Sequence, residues 1–267
     1  MKKNLNIFIH ALTIELRKVL AYKLEFWASF IFSIAAMVVI SYLLWQSIFE
    51  LNKVSEMKGY SLNALIIYYF CISITHKILV SSGMGIISRD IYYGDLNKYL
   101  LYPVSYQIFK IGTYFAKSFL YLAVLIISLI IFQVFFGANL SLIGSIQGVV
   151  LILTSTIAFF YLTAILELIA FWADNIWSLG IMLRSIMAFC GGFMIPLSFF
   201  PESIFTIIHY TPFPFLLYYP IQILTNQASS YSFFTILFIH IFWILAFSGI
   251  QQFVWNKGKY KYSGVGI

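Results

Sequence analysis

Six long apolar runs constrain the fold of this chain more than any other feature of its sequence. They cover residues 26–48, 61–84, 111–136, 143–171, 178–200 and 232–255. Each is long enough to cross the hydrocarbon core of a bilayer, which takes roughly 20 residues as a helix. Only 9% of the 267 residues are charged, against about 25% in ordinary soluble domains. The sequence therefore predicts an all-α, polytopic membrane protein with six transmembrane helices, folded as a single transmembrane domain over residues 1–267.

The segment before the first run, residues 1–23, is amphipathic. Apolar residues recur in it at the three- and four-residue spacing of one helix face, and polar residues occupy the other face: Leu5, Phe8, Ile9, Leu12 and Leu16 against Asn4, Asn6, Thr13, Glu15 and Arg17. This pattern predicts a helix lying in the membrane interface, with its basic side chains near the headgroups. A membrane anchor is the favoured interpretation, and a partner-binding helix is the alternative.

The distribution of basic residues predicts the orientation of the bundle. Six crossings place both termini on one side, and Lys and Arg accumulate on cytoplasmic segments. With the N-terminus inside, the outer segments hold only Lys53 and Lys58, whereas the inner segments hold Lys2, Lys3, Arg17, Lys18, Lys23, Arg89, Lys98, Lys110, Lys257, Lys259 and Lys261. We therefore expect a multi-pass protein of the cell membrane with both termini in the cytoplasm.

No motif for catalysis or cofactor binding is visible in the sequence. It contains no G-x-x-x-x-G-K-[ST] phosphate loop, and its histidines are scattered: His10, His76, His209 and His240. Cys71 and Cys190 lie singly inside apolar runs and are typical of small buried apolar residues. The net charge of +7 comes from residues at helix ends rather than on one face, which does not indicate a nucleic-acid partner. We expect no enzymatic activity, metal or cofactor.

Two opposite charges lie inside consecutive apolar runs. Glu167 and Arg184 are equally far in sequence from the turn near Asn175. In an antiparallel hairpin they reach similar depth, about 13 Å from the turn at about 1.5 Å rise per residue. Buried charges are usually paired, so the sequence predicts an ion pair between these two residues that orients the hairpin.

Residues 196–222 form an apolar region interrupted by prolines. Five prolines exclude one continuous helix, since each lacks a backbone donor: Pro196, Pro201, Pro212, Pro214 and Pro220. The intervening residues are too apolar for an aqueous loop. We therefore predict one or two short re-entrant helices dipping into the outer leaflet before the last span. One of them should start at Pro201, with Glu202 near its positive end.

A conspicuous charged segment on the predicted inner side covers residues 87–108. Gly94 predicts a tight turn, the following residues a short helix from Asp95 to Leu101, and Pro103 its end. Asp95 lies near the positive end of this helix, and Leu96, Tyr99 and Leu100 share one apolar face. Such a helix can lie among headgroups or fill a groove in another protein, and physical reasoning alone leaves both possibilities open.

The order of acid, glycine, leucine pair, proline and serine in this stretch resembles a known loop. Asp90…Gly94-Asp95-Leu96…Leu100-Leu101-Tyr102-Pro103-Val104-Ser105 is similar to the loop between the second and third helices of type-2 ATP-binding-cassette (ABC) exporter permeases. The six spans, the N-terminal helix and the proline-rich region extend the resemblance over the whole chain. One branch of the family also has stretches similar to Phe171-Trp172-Ala173-Asp174, Phe199-Phe200-Pro201 and Pro212-Phe213-Pro214-Phe215-Leu216-Leu217-Tyr218-Tyr219-Pro220.

The resemblance implies a permease subunit that exports a substrate and is driven by a separate cytoplasmic ABC ATPase. The loop would be a coupling helix docked on that ATPase, and the N-terminal helix would be the connecting helix. A second permease subunit, identical or related, would complete the transport pathway, and membrane lipid would surround both subunits. The residues implied to couple the ATPase are Asp90, Gly94, Asp95, Leu96, Tyr99, Leu100 and Pro103.

Two other classes of protein remain as alternatives. One is a membrane scaffold or assembly subunit that moves no substrate. The other is an ion-coupled secondary transporter, against which the scarcity of acidic residues in the spans argues.

Overall fold

The computed structural model of the chain describes residues 2–81, 84–101, 105–135, 140–227, 229–262 and 264. The α-helices are α1 (Lys2–Ala21), α2 (Lys23–Asn52), α3 (Leu62–Leu79), α4 (Ser88–Tyr92), α5 (Leu96–Leu101), α6 (Tyr106–Phe135), α7 (Leu142–Leu168), α8 (Trp177–Cys190), α9 (Glu202–His209), α10 (Tyr219–Leu224) and α11 (Phe233–Gly258). One small hairpin, β1 (Glu56–Met57) and β2 (Tyr60–Ser61), joins α2 to α3.

The chain is an all-α polytopic membrane protein, as the sequence predicts. Within its described part, five helices are long and apolar enough to cross a membrane: α2, α3, α6, α7 and α11. They match five of the six predicted spans. Serine side chains begin three of them, because Ser61, Ser141 and Ser232 each accept a hydrogen bond from an amide in the first turn of α3, α7 and α11.

The prediction of one long helix over residues 178–200, the fifth span, is wrong. Its helical part, α8, has only 14 residues, or about 21 Å at about 1.5 Å per residue, which is short of the roughly 30 Å hydrocarbon core. The helix ends because Gly192 adopts a left-handed conformation (φ +79°), as glycine commonly does just after a helix. A 3₁₀ turn, Leu197–Phe199, follows after an irregular stretch.

Helix α3 lies at the centre of the bundle and satisfies the irregular backbone after α8. The hydroxyl of Tyr68 donates a hydrogen bond to the carbonyl of Gly192 at 2.7 Å, and that of Tyr69 donates to the carbonyl of Met194 at 3.0 Å. Both tyrosines are buried. Non-helical backbone inside an apolar bundle needs such partners, because no water is there to bind it.

The proline-rich region folds into the short helices that the sequence predicts. Pro201 caps α9 and Glu202 lies in its first turn, where a carboxylate meets the positive end of the helix dipole. A single π-helical turn, Pro214–Tyr218, continues into α10. The turn and α10 are buried against α7 and α3, so their irregular backbone is covered by protein.

Helix α1 packs mainly against α6. Gly112 of α6 permits this contact, because a Cβ atom there would lie 2.7 Å from the carbonyl oxygen of Phe8 and 2.9 Å from the Cβ of Ala11. The predicted amphipathic helix therefore packs at a defined position on the bundle.

Gly148 of α7 generates a prediction about how closely α7 and α10 pack. A Cβ atom at this position would lie 2.7 Å from the Cβ and 2.8 Å from the Cα of Leu224. Gly148→Ala should therefore overpack the contact and lower the free energy of unfolding by about 1–3 kcal/mol. Thermal unfolding of the purified protein in detergent measures the effect.

Gly249 of α11 provides the matched control. A Cβ atom there meets nothing within 4 Å, and alanine is the better helix former, so Gly249→Ala should leave the unfolding temperature unchanged or raise it. Equal unfolding temperatures for the two variants would contradict the close α7–α10 contact.

Candidate functional site

The segment that holds α4 and α5 packs against the ends of α6, α7 and α11. A buried apolar cluster joins these elements: Ile87, Ile91, Leu96, Tyr106, Ala164, Leu168, Ala170 and Phe171, flanked by Tyr99, Val254 and Trp255. The segment is therefore part of the folded bundle and not a free loop. We call the described residues 87–101 the coupling segment.

The turn and the first residue of α5 are structural. Gly94 has a φ of +75°, which confirms the predicted turn, because only glycine adopts that conformation without strain. Leu96 is fully buried, so it anchors α5 and is not available to another protein. Two members of the predicted apolar face, Leu96 and Tyr99, pack in the same cluster with Tyr106. The third, Leu100, is 51% exposed.

Asp90 forms a nearly buried ion pair that links α4 to α6. Its Oδ2 lies 2.6 Å from Nζ of Lys110, and the two side chains are only 14% and 8% exposed. The hydroxyl of Tyr106 donates a hydrogen bond of 3.0 Å to the same oxygen. Nζ of Lys110 also lies 5.2 Å from the ring centre of Tyr99, within range of a cation–π interaction. Asp90 therefore positions the coupling segment on α6.

Glu167 does not form the predicted ion pair with Arg184. No ion pair joins them among the residues that the structure describes, and the Glu167 carboxylate instead accepts hydrogen bonds from the amides of Ile87 at 2.5 Å and Ser88 at 3.0 Å. Glu167 is 2% exposed. Arg184 does lie at a nearby level of the bundle, because it lines a small cavity with Thr163, one turn before Glu167 on α7. Depth alone does not fix which way a side chain points around its helix.

Two further hydrogen bonds hold the coupling segment. The hydroxyl of Tyr92 donates to the carbonyl of Ala173 at 2.9 Å, and Nδ2 of Asn97 donates to the carbonyl of Gly264 at 2.7 Å. Sequence reasoning missed both residues and the partner of Asp90. A signal existed for Lys110, because a lysine at the start of a long apolar run needs an acidic partner when it is buried.

The side of the coupling segment that faces away from the bundle has exposed apolar side chains at its tip and a charged pair beside them. Tyr93 is 69% exposed and Leu101 84% exposed, and Leu100 lies next to Leu101. Asp95 and Lys98 form an exposed ion pair at 2.6 Å. The hydrogen bond from Lys98 lowers the pKa of Asp95, so this carboxylate stays ionised at neutral pH. Pro103 lies outside the described residues.

A polar cleft of about 440 Å³ separates α1 from the coupling segment. Both signs of charge line it, including Glu15 and Lys18 of α1, which pair at 3.0 Å, and Lys117 of α6. Within the described residues no group of three or more His, Cys, Asp or Glu side chains could hold a metal ion. The site is an anchored, surface-exposed helix beside a polar cleft.

The comparison with protein families finds one match that covers nearly the whole chain. The family model described as "ABC-2 family transporter protein" matches residues 19–266. No curated protein matches the chain.

The Asp90–Lys110 ion pair generates a prediction about stability. Lys110→Met should leave the Asp90 carboxylate nearly buried without its counter-charge, which lowers the free energy of unfolding by about 3 kcal/mol. Adding Asp90→Asn should restore part of the loss, because the unpaired charge is removed. Thermal or denaturant unfolding of the detergent-solubilised protein checks both variants.

Lys98→Met serves as the control for this prediction. It also removes one lysine charge, from α5 instead of α6, but its partner Asp95 is exposed, and water screens exposed pairs strongly. Its unfolding temperature should stay near that of the unchanged protein. If Lys110→Met were equally harmless, the ion pair would not be what holds α4 on α6.

Proposed function

The chain belongs to the ABC-2 family of transporter proteins, and from that premise we propose that it is an exporter permease whose separate cytoplasmic ATPase docks on the coupling segment. Membership makes it a multi-pass permease subunit of an ABC transporter, and such subunits work with an ATPase. The proposal adds three points: the ATPase docks on residues 87–101, both termini lie in the cytoplasm, and transport is directed outward.

The observation that carries the proposal is the contrast between the two sides of the coupling segment. Tyr93, Leu100 and Leu101 are exposed, whereas Leu96 and Ile91 are buried in the bundle. Large apolar side chains on a short exposed helix are suited to a groove in a partner protein. The Asp95–Lys98 pair beside them would form the polar rim of such an interface.

The inner side of the segment is suited to transmit force. Asp90 connects it to α6 through Lys110, and Glu167 connects it to α7. Asn97 connects α5 to Gly264, beyond α11. A displacement of α5 by a closing ATPase dimer would therefore move several helices together, because each connection joins the segment to a different part of the chain.

Two other parts of the proposal rest on charge and surface. Lys257 lies in the last turn of α11, and Lys259 and Lys261 follow it. In the predicted frame they are on the same side as Arg89 and Lys98 of the coupling segment, which supports a cytoplasmic position. Helices α2 and α11 expose large apolar side chains such as Phe32 and Phe238. These faces would meet lipid or a second permease subunit, identical or related.

The contacts of Glu167 argue against the ion-coupled secondary transporter. A proton- or ion-coupled carrier needs acidic groups along its pathway. Glu167 is instead occupied by the amides of Ile87 and Ser88 and so belongs to the framework of the coupling segment.

A double substitution at the exposed tip tests the docking. Leu100→Asp with Leu101→Asp should abolish stimulation of the partner ATPase by the permease, because two carboxylates cannot enter an apolar groove without losing their hydration. The readout is ATP hydrolysis by the complex reconstituted in lipid vesicles, together with co-purification of the ATPase. Both leucines are exposed, so the variant should insert and fold.

Tyr260→Asp is the control, since Tyr260 is 85% exposed but lies outside the coupling segment. It should keep both co-purification and stimulation. Undiminished ATPase stimulation in the double leucine variant would remove the coupling role, and purification of the unchanged chain without any ATPase would favour the scaffold.

A further inference from the structure

The polar cleft between α1 and the coupling segment holds an excess of positive charge. Seven charged residues line it: Glu15, Lys18, Arg89, Asp90, Asp95, Lys110 and Lys117. Each of the three carboxylates is neutralised by a lysine, in the pairs Glu15–Lys18, Asp90–Lys110 and Asp95–Lys98. Arg89 and Lys117 remain, and neither side chain forms an ion pair or a hydrogen bond within the described part of the chain.

Lys117 reaches the cleft from one face of α6. Lys110, Thr113 and Lys117 are spaced i, i+3 and i+7, which aligns them along one side of a helix, and all three line the cleft. Lys117 is partly buried and lies in a helix that is long and apolar enough to cross a membrane. A cation at such a position is costly without a counter-charge and indicates a functional site.

The length of α6 places Lys117 at the inner boundary of the hydrocarbon core. The helix has 30 residues, or about 45 Å at about 1.5 Å per residue, whereas the core is about 30 Å thick and takes roughly 20 residues. Counting back from the outer end at Phe135, in the predicted frame, puts Lys117 among the first residues of the crossing. Lipid headgroups begin at that boundary, so Lys117 lies at their level.

Arg89 contributes to the cleft from the coupling segment. Its side chain folds back over Gly85, where a Cβ atom would lie 3.2 Å from Cδ of Arg89. Both residues line the cleft, and polar atoms form most of the surface there. Arg89 is exposed, and a guanidinium group matches the geometry of a phosphate. The surplus charge is therefore accessible to an anion that enters the cleft.

The surface beside the cleft is suited to lipid. Ile14 of α1 lines the cleft and is exposed, and Ile9 and Leu20 expose further apolar surface on the same helix. Phe109 and Ile86 supply apolar side chains within the cleft. Exposed apolar side chains on an interfacial helix lie at the boundary between headgroups and acyl chains. A guest with an anionic head and apolar chains would therefore meet matching surfaces here.

We propose that the cleft binds the headgroup of an anionic phospholipid of the inner leaflet. Lys117 binds the phosphate, Arg89 adds a second positive charge to the same cleft, and the apolar side chains meet the start of the acyl chains. A zwitterionic lipid carries its own ammonium group and neutralises less of the surplus charge, so the cleft selects anionic lipids. Binding needs no ATPase and is independent of the coupling role.

Native mass spectrometry of the full chain, purified in mild detergent, tests the site. The protein is titrated with phosphatidylglycerol or, separately, phosphatidylcholine. Phosphatidylglycerol should bind at least tenfold more tightly. Lys117→Met should weaken phosphatidylglycerol binding about tenfold, because one charge-assisted contact to phosphate is lost, whereas Lys117→Arg should keep the binding. Lys117→Met removes an unpaired charge from a spanning helix, so its unfolding temperature should not fall.

Lys23→Met is the matched control. Lys23 is an exposed lysine on the predicted inner side and does not line the cleft, so phosphatidylglycerol binding should persist. Arg89→Gln is a second variant, which alters an exposed side chain and should also weaken binding. A separate titration contains glycerol 3-phosphate at millimolar concentration. It should not displace the lipid, because it lacks the acyl chains that the apolar side chains contact.

Three results would overturn the proposal. Equal affinity for the two lipids would show that the surplus charge selects nothing. Equal phosphatidylglycerol affinity in Lys117→Met and Lys23→Met would place the lipid elsewhere on the bundle. Displacement of the lipid by glycerol 3-phosphate would identify a site for a soluble phosphate compound. All three are measured on the permease alone, so a failure here is distinct from a failure of ATPase docking.

Discussion

The carboxylate of Glu167 is the interaction on which the position of the coupling segment depends. It lies near the end of α7, 2% exposed, and accepts hydrogen bonds from the amides of Ile87 and Ser88 where α4 begins. The first amides of a helix have no partner within the helix, and a buried amide without a partner is costly. One side chain therefore satisfies the start of α4 and fixes it to α7. The Asp90–Lys110 pair then fixes the same helix to α6.

The sequence predicted the fold well where one strong physical effect decides the structure. Long apolar runs identified five spanning helices because a bilayer admits little else. Gly94 identified the turn before α5, where the backbone adopts a positive φ that glycine tolerates. Pro201 identified the start of α9, because a helix tolerates proline only at its start. The family resemblance, carried by the same loop and its neighbours, agrees with the family match over residues 19–266.

The sequence failed where tertiary packing chooses between local options. Equal depth suggested that Glu167 would meet Arg184, but rotation about α7 directs the carboxylate to the amides of α4. Apolar spacing grouped Leu96 with Leu100, although only Leu96 is enclosed by the bundle. The side chains of Tyr60, Ser198 and Gln222 meet from three segments distant in sequence, and no local pattern brings them together.

The central claim is that the coupling segment moves with α7 because Glu167 holds it there. The most direct test is ATP hydrolysis by the reconstituted complex carrying Glu167→Ala, with Glu167→Gln as the control that keeps one acceptor oxygen. We predict that Glu167→Ala still co-purifies with the ATPase, since the exposed tip is unchanged, but that stimulation falls to the basal rate, with partial recovery in Glu167→Gln. Full stimulation in a stably folded Glu167→Ala complex would contradict this role of Glu167.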